Sequence, residues 1–204
     1  QSALHVAAVR GAEDSCSALM IAGADPNVLD TAKRSPLHLA AEAGHHRVVR
    51  VVLLKGTDVD NRTCFANTPL HLAASKGHTL CKLLTAGADS CRPALGGCYP
   101  FDVAARRGHA NILKAFLETA AEVVAADGSG WTALHGAASG IPPLDNRAAV
   151  RILLEAGGNV NARATRRNLY TPLHLAVDYR VASVGTIGAL LEGGADVNAR
   201  AKLD

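Results

Sequence analysis

Apolar positions in this chain alternate between two kinds of block. One is built on a Leu-His step with paired small residues, as in Leu37-His38-Leu39-Ala40-Ala41; after a Gly-His pair comes a denser run, Val48-Val49 to Leu53-Leu54. Each block predicts a short helix, and a Gly-x-Asp turn such as Gly23-Ala24-Asp25 closes the second one with a left-handed cap. The pattern then starts again. Its markers Leu4, Leu37, Leu70, Phe101, Leu134 and Leu173 are separated by 33, 33, 31, 33 and 39 residues. A period this regular predicts a repeat architecture, in which no unit buries its apolar face alone and each supports the next.

The recurring words are Pro36-Leu37-His38-Leu39, Pro69-Leu70-His71-Leu72, Ala133-Leu134-His135 and Pro172-Leu173-His174-Leu175, with Pro100-Phe101-Asp102-Val103 carrying Asp for His. With the Gly-Ala-Asp turns at Gly87 and Gly194, they give the chain a resemblance to the ankyrin-repeat family over its whole length. The resemblance implies an all-α ankyrin-repeat solenoid: paired antiparallel helices stacked in a row with projecting β-hairpin loops. Residues 1–204 are then one domain of six units, about 1–30, 31–63, 64–94, 95–127, 128–166 and 167–204. Ser or Thr ahead of Pro supplies a cap and a first helical residue whose missing N–H costs nothing.

Departures from the period mark places to bend or to decorate. The third unit lacks two residues between Gly77 and Gly87, which predicts a shorter second helix. The fifth inserts Gly140-Ile141-Pro142-Pro143-Leu144-Asp145, with Asp145 expected to cap the helix beginning near Asn146. In the sixth, Tyr179 to Ser183 replaces the Gly-His turn. Gln1 enters one residue before a cap position and Asp204 stops within a would-be seventh hairpin, so the sequence reads as a segment of a longer protein.

Composition sharpens this reading. Hydrophobic residues make up 49% but aromatics only 3%, so the interior must be Ala, Leu and Val in thin layers. Twenty-one basic residues against 18 acidic ones give a balance that argues against a nucleic-acid partner, as does the lack of basic residues interleaved with stacking aromatics. Five Cys without a Cys-x-x-Cys pair indicate neither a disulfide framework nor a zinc module, and point to a reducing, intracellular compartment, cytoplasmic or nuclear. No stretch has the span of apolar residues needed for membrane insertion. Asn61-Arg62-Thr63 matches a glycosylation sequon, which carries no weight without a secretory context.

Enzyme chemistry finds no foothold. Phosphate-cradling Gly-rich loops, the His-Glu-x-x-His pair and the Gly-x-Ser-x-Gly elbow are all missing. Eight of the nine His occupy repeat addresses, in the Leu-His step or after the helix-ending Gly, where the resemblance implies loop-tying hydrogen bonds; His46 alone lies outside the pattern. Asp58-Val59-Asp60-Asn61 lacks the remaining ligands of a calcium loop. The reading is therefore a non-enzyme without cofactor, metal or small-molecule substrate.

The resemblance implies instead that a partner protein is taken on the hairpin tips and on the concave face of the first helices. Carried over by position, the tip residues include Arg34, Cys64, Phe65, Asn67, Leu95, Trp131, Arg166, Arg167 and Tyr170, and the helix positions include Glu42, Lys76, Arg106, Arg107 and Tyr179. Arg10, Lys76, Arg106 and Arg107, opposed mainly by Glu42, suggest a basic groove for an acidic partner segment. Gly130-Trp131-Thr132 is a common family variant in which the ring lies along the hairpin. Asn27, Asn161 and Asn198 occupy the turn that the family uses for asparagine hydroxylation. The expected function is a protein-interaction module or adaptor. The alternatives are a regulatory or targeting segment of a larger enzyme, channel or ubiquitin-ligase receptor, and a structural spacer.

Overall fold

The computed structural model describes residues 1–78, 81–119, 126–140, 145–165, 168–178 and 183–202. Its helices are α1 (Ala3–Arg10), α2 (Glu13–Ile21), α3 (Pro36–Ala43), α4 (His46–Leu53), α5 (Pro69–Lys76), α6 (Cys81–Thr85), α7 (Pro100–Arg106), α8 (Ala110–Glu118), α9 (Ala133–Ala138), α10 (Arg147–Glu155), α11 (Pro172–Asp178) and α12 (Val184–Glu192). Contacts divide the chain into two compact units, Gln1–Pro100 and Phe101–Asp204. In the first, α1, α3 and α5 pack in one row and α2, α4 and α6 in another. In the second, α9 packs on α11, and α8, α10 and α12 form the accompanying row.

Local chemistry fixes where these helices begin and end. Ser2, Ser35, Thr68 and Thr132 stand in extended backbone as N-caps, and Pro36 and Pro69 open their helices. Gly11, Gly44 and Gly77 close the first helices in the left-handed region. The second helices end on the same pattern, again with a left-handed glycine. Gly23 N–H donates to the Met20 carbonyl and Ala24 N–H to that of Leu19, the two bonds of a Schellman turn, and the longer bond recurs from Ala88 to Leu83 and from Ala195 to Leu190.

The helices bury one leucine at the same place in successive repeats. Leu4, Leu37 and Leu70 are sealed in the first unit with Val48, Val52 and Leu83; Leu134, Leu153 and Leu190 are their counterparts in the second, where the sixth repeat seals Leu175 while its marker Leu173 is half-buried. Each fully buried leucine is worth roughly 1.5–3 kcal/mol. Phe101 takes the leucine place in the fourth repeat and meets Phe116 edge to face, with centroids 5.7 Å apart.

Glycine is needed after the first helix for two reasons. Gly44 has φ +76°, and a Cβ there would come 2.6 Å from Nδ1 of His78; Gly11 stands in the same relation to His45, at 2.7 Å. The His ring of one repeat thus lies against the Gly of the repeat before it, and His45 Nε2 reaches the Val9 carbonyl at 2.9 Å. In the fifth repeat Asn146 takes over, with its amide oxygen against Gly108 and its Nδ2 donating to the Ala137 carbonyl at 2.7 Å.

Three details differ from, or refine, the sequence expectation. The N-cap of α10 is Asn146, one residue later than expected, and Asp145 instead accepts from the Arg147 N–H at 3.1 Å. The reason is that Asn146 is drawn inward to the place a His fills elsewhere, so the Asp145 carboxylate covers the first turn from outside. The projecting hairpins contain no strand among the described residues, only an isolated bridge between Ala164 and Tyr170. Their backbone bonds go partly sideways, from Cys64 N–H to Ala32 and from Leu95 N–H to Phe65, so no ladder develops within a hairpin. Helix α6 covers five described residues against eight or nine in the other second helices. The Pro142-Pro143 loop lies outside the described residues.

Gly44→Ala should lower unfolding stability by about 2–4 kcal/mol, because strain at positive φ adds to the collision with His78. Gly23→Ala, with equally positive φ but open space around it, should cost only about 1 kcal/mol. Equal losses in urea unfolding would contradict the steric role of His78.

Candidate functional site

The hairpin tips are built on one plan. In the first unit they are residues 30–34, 63–67 and 94–98. Each closes with a backbone bond between its end residues, Asp30 N–H to Arg34, Thr63 N–H to Asn67 and Ala94 N–H to Cys98. The first residue also caps the tip with its side chain where it has an oxygen. Asp30 Oδ1 accepts from Ala32 and Arg34 N–H, both at 2.9 Å, and Thr63 Oγ1 accepts from Phe65 and Asn67 N–H. In the second unit Asp127 Oδ1 does the same for Ser129 and Trp131. Lys33 and Ala66 hold the left-handed position that Gly97 and Gly130 hold in other tips.

A histidine then ties each of the three first-unit tips, and the hairpin ending at Tyr170, to the helix layer. His38 Nδ1 accepts from the Ser35 backbone N–H at 3.1 Å, so the neutral ring carries its proton on Nε2 and donates to the Asn67 carbonyl, 3.1 Å away in the next repeat. His5 reaches Arg34, His71 reaches Cys98 and His135 reaches Tyr170 in the same way. Burial lowers the pKa of His38, His71 and His135, bringing His71 to about 4 despite the opposing pull of its carbonyl partner. A second proton would sit on Nδ1, pointing at a backbone donor.

Lower down, a side-chain ladder links successive turns. Asp25 Oδ1 accepts from Asn27 N–H within its own turn, and Asn27 Oδ1 accepts from Asp58 N–H in the next at 2.9 Å. Asp60 receives Asp89 N–H, and Asn161 receives Asp196 N–H at 2.8 Å. The side chains of Asn27 and Asn161 therefore already serve as structural links.

The expected contact residues fare differently on this frame. Phe65 stands 65% exposed at its tip and Leu95, on the next one, 71%. Arg34 is turned inward: its Nη2 meets Asp30 Oδ2 at 2.8 Å and its Nε meets the same oxygen at 2.9 Å. Burial resists the charge on Asp30, but backbone donors and this guanidinium hold its carboxyl below the usual range. Asn67 is half-buried and lends its carbonyl to His38. Trp131 and Tyr170 stack on His135 and His174 of their own repeats, each with centroids 5.2 Å apart. The Trp131 ring is thereby committed to the histidine four residues on.

On the first helices, Lys76 pairs with Glu42 at 3.6 Å. Arg107 is exposed, and Arg106 is half-buried with an Nε that meets no acceptor. Lys76 belongs to the first compact unit and the two arginines to the second. Arg166, Arg167 and Tyr179 lie outside the described residues.

Two basic residues escaped the sequence reading. Lys33 is exposed at a left-handed tip position, where glycine is the expected choice. Arg62, just before the second tip, donates from Nη2 to the Pro93 carbonyl at 2.8 Å and from Nε to the Ala66 carbonyl at 3.4 Å, bridging two hairpins. Position within the repeat could have flagged Lys33, which the scaffold does not require. Cys16 is buried and its thiol pKa raised by that burial, whereas Cys64 and Cys91 are exposed. Among the described residues no cluster of His, Cys, Asp and Glu could hold a metal, and no helix is long and apolar enough to cross a membrane.

Comparisons with known proteins agree with this architecture. The family described as ankyrin repeats (3 copies) matches residues 4–94, 81–164 and 101–201. The crystal structure of the human ASB11 ankyrin repeat domain is similar at 27% identity and a TM-score of 0.84, covering 98% of this chain and 87% of that one. An ankyrin repeat domain from Acinetobacter baumannii AYE shares the fold at 24% identity and a TM-score of 0.76, covering 95% and 98%. The comparison with curated proteins finds no match.

His38, His71 and His135 bind protons less readily in the folded chain than in the unfolded one, so stability should be complete above the ordinary histidine pKa near 6.5 and decline as pH falls toward 4. His71 alone should account for roughly 3 kcal/mol of that loss. Urea unfolding at pH 7.5, 5.5 and 4.5 measures it, and a decline for the His71→Gln variant as steep as the parent's would refute the assignment.

Proposed function

The chain belongs to the ankyrin-repeat family, whose repeats are generally protein–protein interaction modules, and from that premise we propose that it is a binding module or adaptor taking a partner protein on its hairpin tips and on the inner faces of its first helices. The observation that carries the reading is Phe65. It is 65% exposed on a tip that Thr63, Asn67 and His38 hold in place. A large aromatic on a rigid, solvated loop contributes nothing to its own fold, and aromatics in fixed positions dominate interface hot spots. Binding on such a surface loses little entropy, because the loop is ordered beforehand.

Other contact positions are candidates to the extent that their internal bonds leave them free. Arg107 offers an exposed cation at the end of α7, and Lys76 a partly neutralised one at the end of α5. Acidic partner chemistry suits each of them. Arg106, Arg166, Arg167 and Tyr179 belong to the same reading by their places in the repeat. Arg34, Asn67, Trp131 and Tyr170 frame the tips more than they contact a ligand, since their polar atoms or rings are already engaged. The reaction-free character follows the family, whose domains are typically non-enzymatic.

A photo-cross-linking residue placed at 65, at 107 or at the exposed Arg47 on α4 should distinguish these faces. Partner cross-links are expected from 65 and 107 and not from 47. Cross-links from 47 alone would sink the proposal. Reversing Arg106 and Arg107 to Glu should slow association with that partner about tenfold or less at low salt, with the difference vanishing at high salt.

A further inference from the structure

We infer that the three tips of the first unit, residues 30–34, 63–67 and 94–98, form the docking strip, and that its occupant is an acidic segment of another protein that seats one apolar side chain against Phe65 and Leu95. This rests on the reading above and names its partner chemistry.

The apolar half of the argument is geometric. Leu95 N–H donates to the Phe65 carbonyl at 3.1 Å, so the two residues spring from adjacent points on neighbouring hairpins. Both side chains are more than half exposed, and the exposed Cys64 stands beside them. Each tip is fixed from below by His38 or His71, so the pair cannot fold back to hide its surface. Among the described residues Phe65 is the one exposed aromatic. Phe101 and Phe116 are buried together, while Trp131 and Tyr170 lie on histidines.

The electrostatic half decides the sign of the partner. Within the three tips the one carboxylate is Asp30, whose side chain is 2% exposed and neutralised by Arg34. Lys33 and Arg62 flank the strip, both exposed, and neither has a carboxylate within ion-pair reach among the described residues. Arg62 spends its N–H groups on the carbonyls of Ala66 and Pro93, which fixes its charge between the Phe65 and Leu95 hairpins without cancelling it. On the helix face of the same unit, Lys76 has already found Glu42. Uncompensated positive charge therefore gathers around the apolar pair, and a segment with Asp or Glu beside a large apolar residue complements both features. A nucleic acid would need successive stacking rings along a basic track, and the strip offers one.

Selection of random twelve-residue peptides on the intact chain tests the partner chemistry directly. Enriched peptides should carry Asp or Glu within a few residues of Phe, Leu, Ile or Trp. Phe65→Ala and Leu95→Ala, both exposed positions, should each weaken a synthetic winner about tenfold or more. Lys33→Gln with Arg62→Gln should lower affinity about tenfold at low salt and much less at high salt, and Arg47→Glu should change nothing. Winners without acidic residues, binding unaffected by Phe65→Ala, or no enriched peptide would each overturn the inference. If amide chemical shifts place the winner on residues outside the three tips, the strip is wrong while the protein-binding reading stands. Tighter binding of single-stranded RNA than of any peptide would remove both.

Discussion

A neutral imidazole with a filled Nδ1 is the constraint on which the repeats carrying the Leu-His step depend. The backbone N–H of the cap residue occupies that nitrogen, so the ring must donate from Nε2, and the acceptor it finds is a carbonyl at the end of the next tip. One side chain thus completes a helix cap, in the place where Glu or Gln closes the usual capping box, and pins the neighbouring repeat. Apolar stacking supplies most of the free energy, but it is non-directional. Leucines and alanines would tolerate small slips of one repeat over another. A buried hydrogen bond with a single acceptor does not, because a shifted register would leave a donor and a carbonyl unpaired in the interior.

The tips owe their freedom to that pinning. With the base held by histidine and the loop held by Asp30 or Thr63, the outward residues have no structural duty. The scaffold even accepts Lys33 and Ala66 where glycine would be relaxed, a cost of roughly 1 kcal/mol each in the left-handed region. Substitution within the frame follows the same rule. Asn146 replaces a histidine and still lies against the preceding glycine while bonding to the Ala137 carbonyl, so the contact is kept by shape and hydrogen bonding and not by residue identity.

Much of this was legible in the sequence, for a physical reason. Leu-His, Gly-His and Gly-x-Asp recur because each residue answers a local demand: a buried side chain, a cap acceptor, a left-handed turn. Demands of that kind are met within one repeat or between adjacent ones, so a period of 33 exposes them. The contact residues were harder to read. Arg34 looks like a free cation until Asp30 is seen to hold it, and Trp131 and Tyr170 look like binding aromatics until the histidine four residues on is seen beneath each ring. Both relations lie at a spacing of four and were visible in principle. The role of Arg62 was not, because it depends on carbonyls at Ala66 and Pro93 that every sequence possesses.

Charge location follows from which residues the scaffold can neutralise. First-helix residues of adjacent repeats face one another at fixed spacing, so Lys76 meets Glu42, just as Arg50 meets Glu13 and Arg151 meets Glu192 between second helices. These exposed pairs add little stability, yet they cancel much of the local field. Tip residues are built on short loops, and the one carboxylate in the three first-unit tips is consumed by its own cap. A basic residue placed just before a tip can satisfy its N–H groups on neutral carbonyls and keep its full charge, as Arg62 does. The geometry that frees the tips from structural work is therefore also what lets charge persist there, next to the apolar surface of Phe65 and Leu95, while it is cancelled where helices stack.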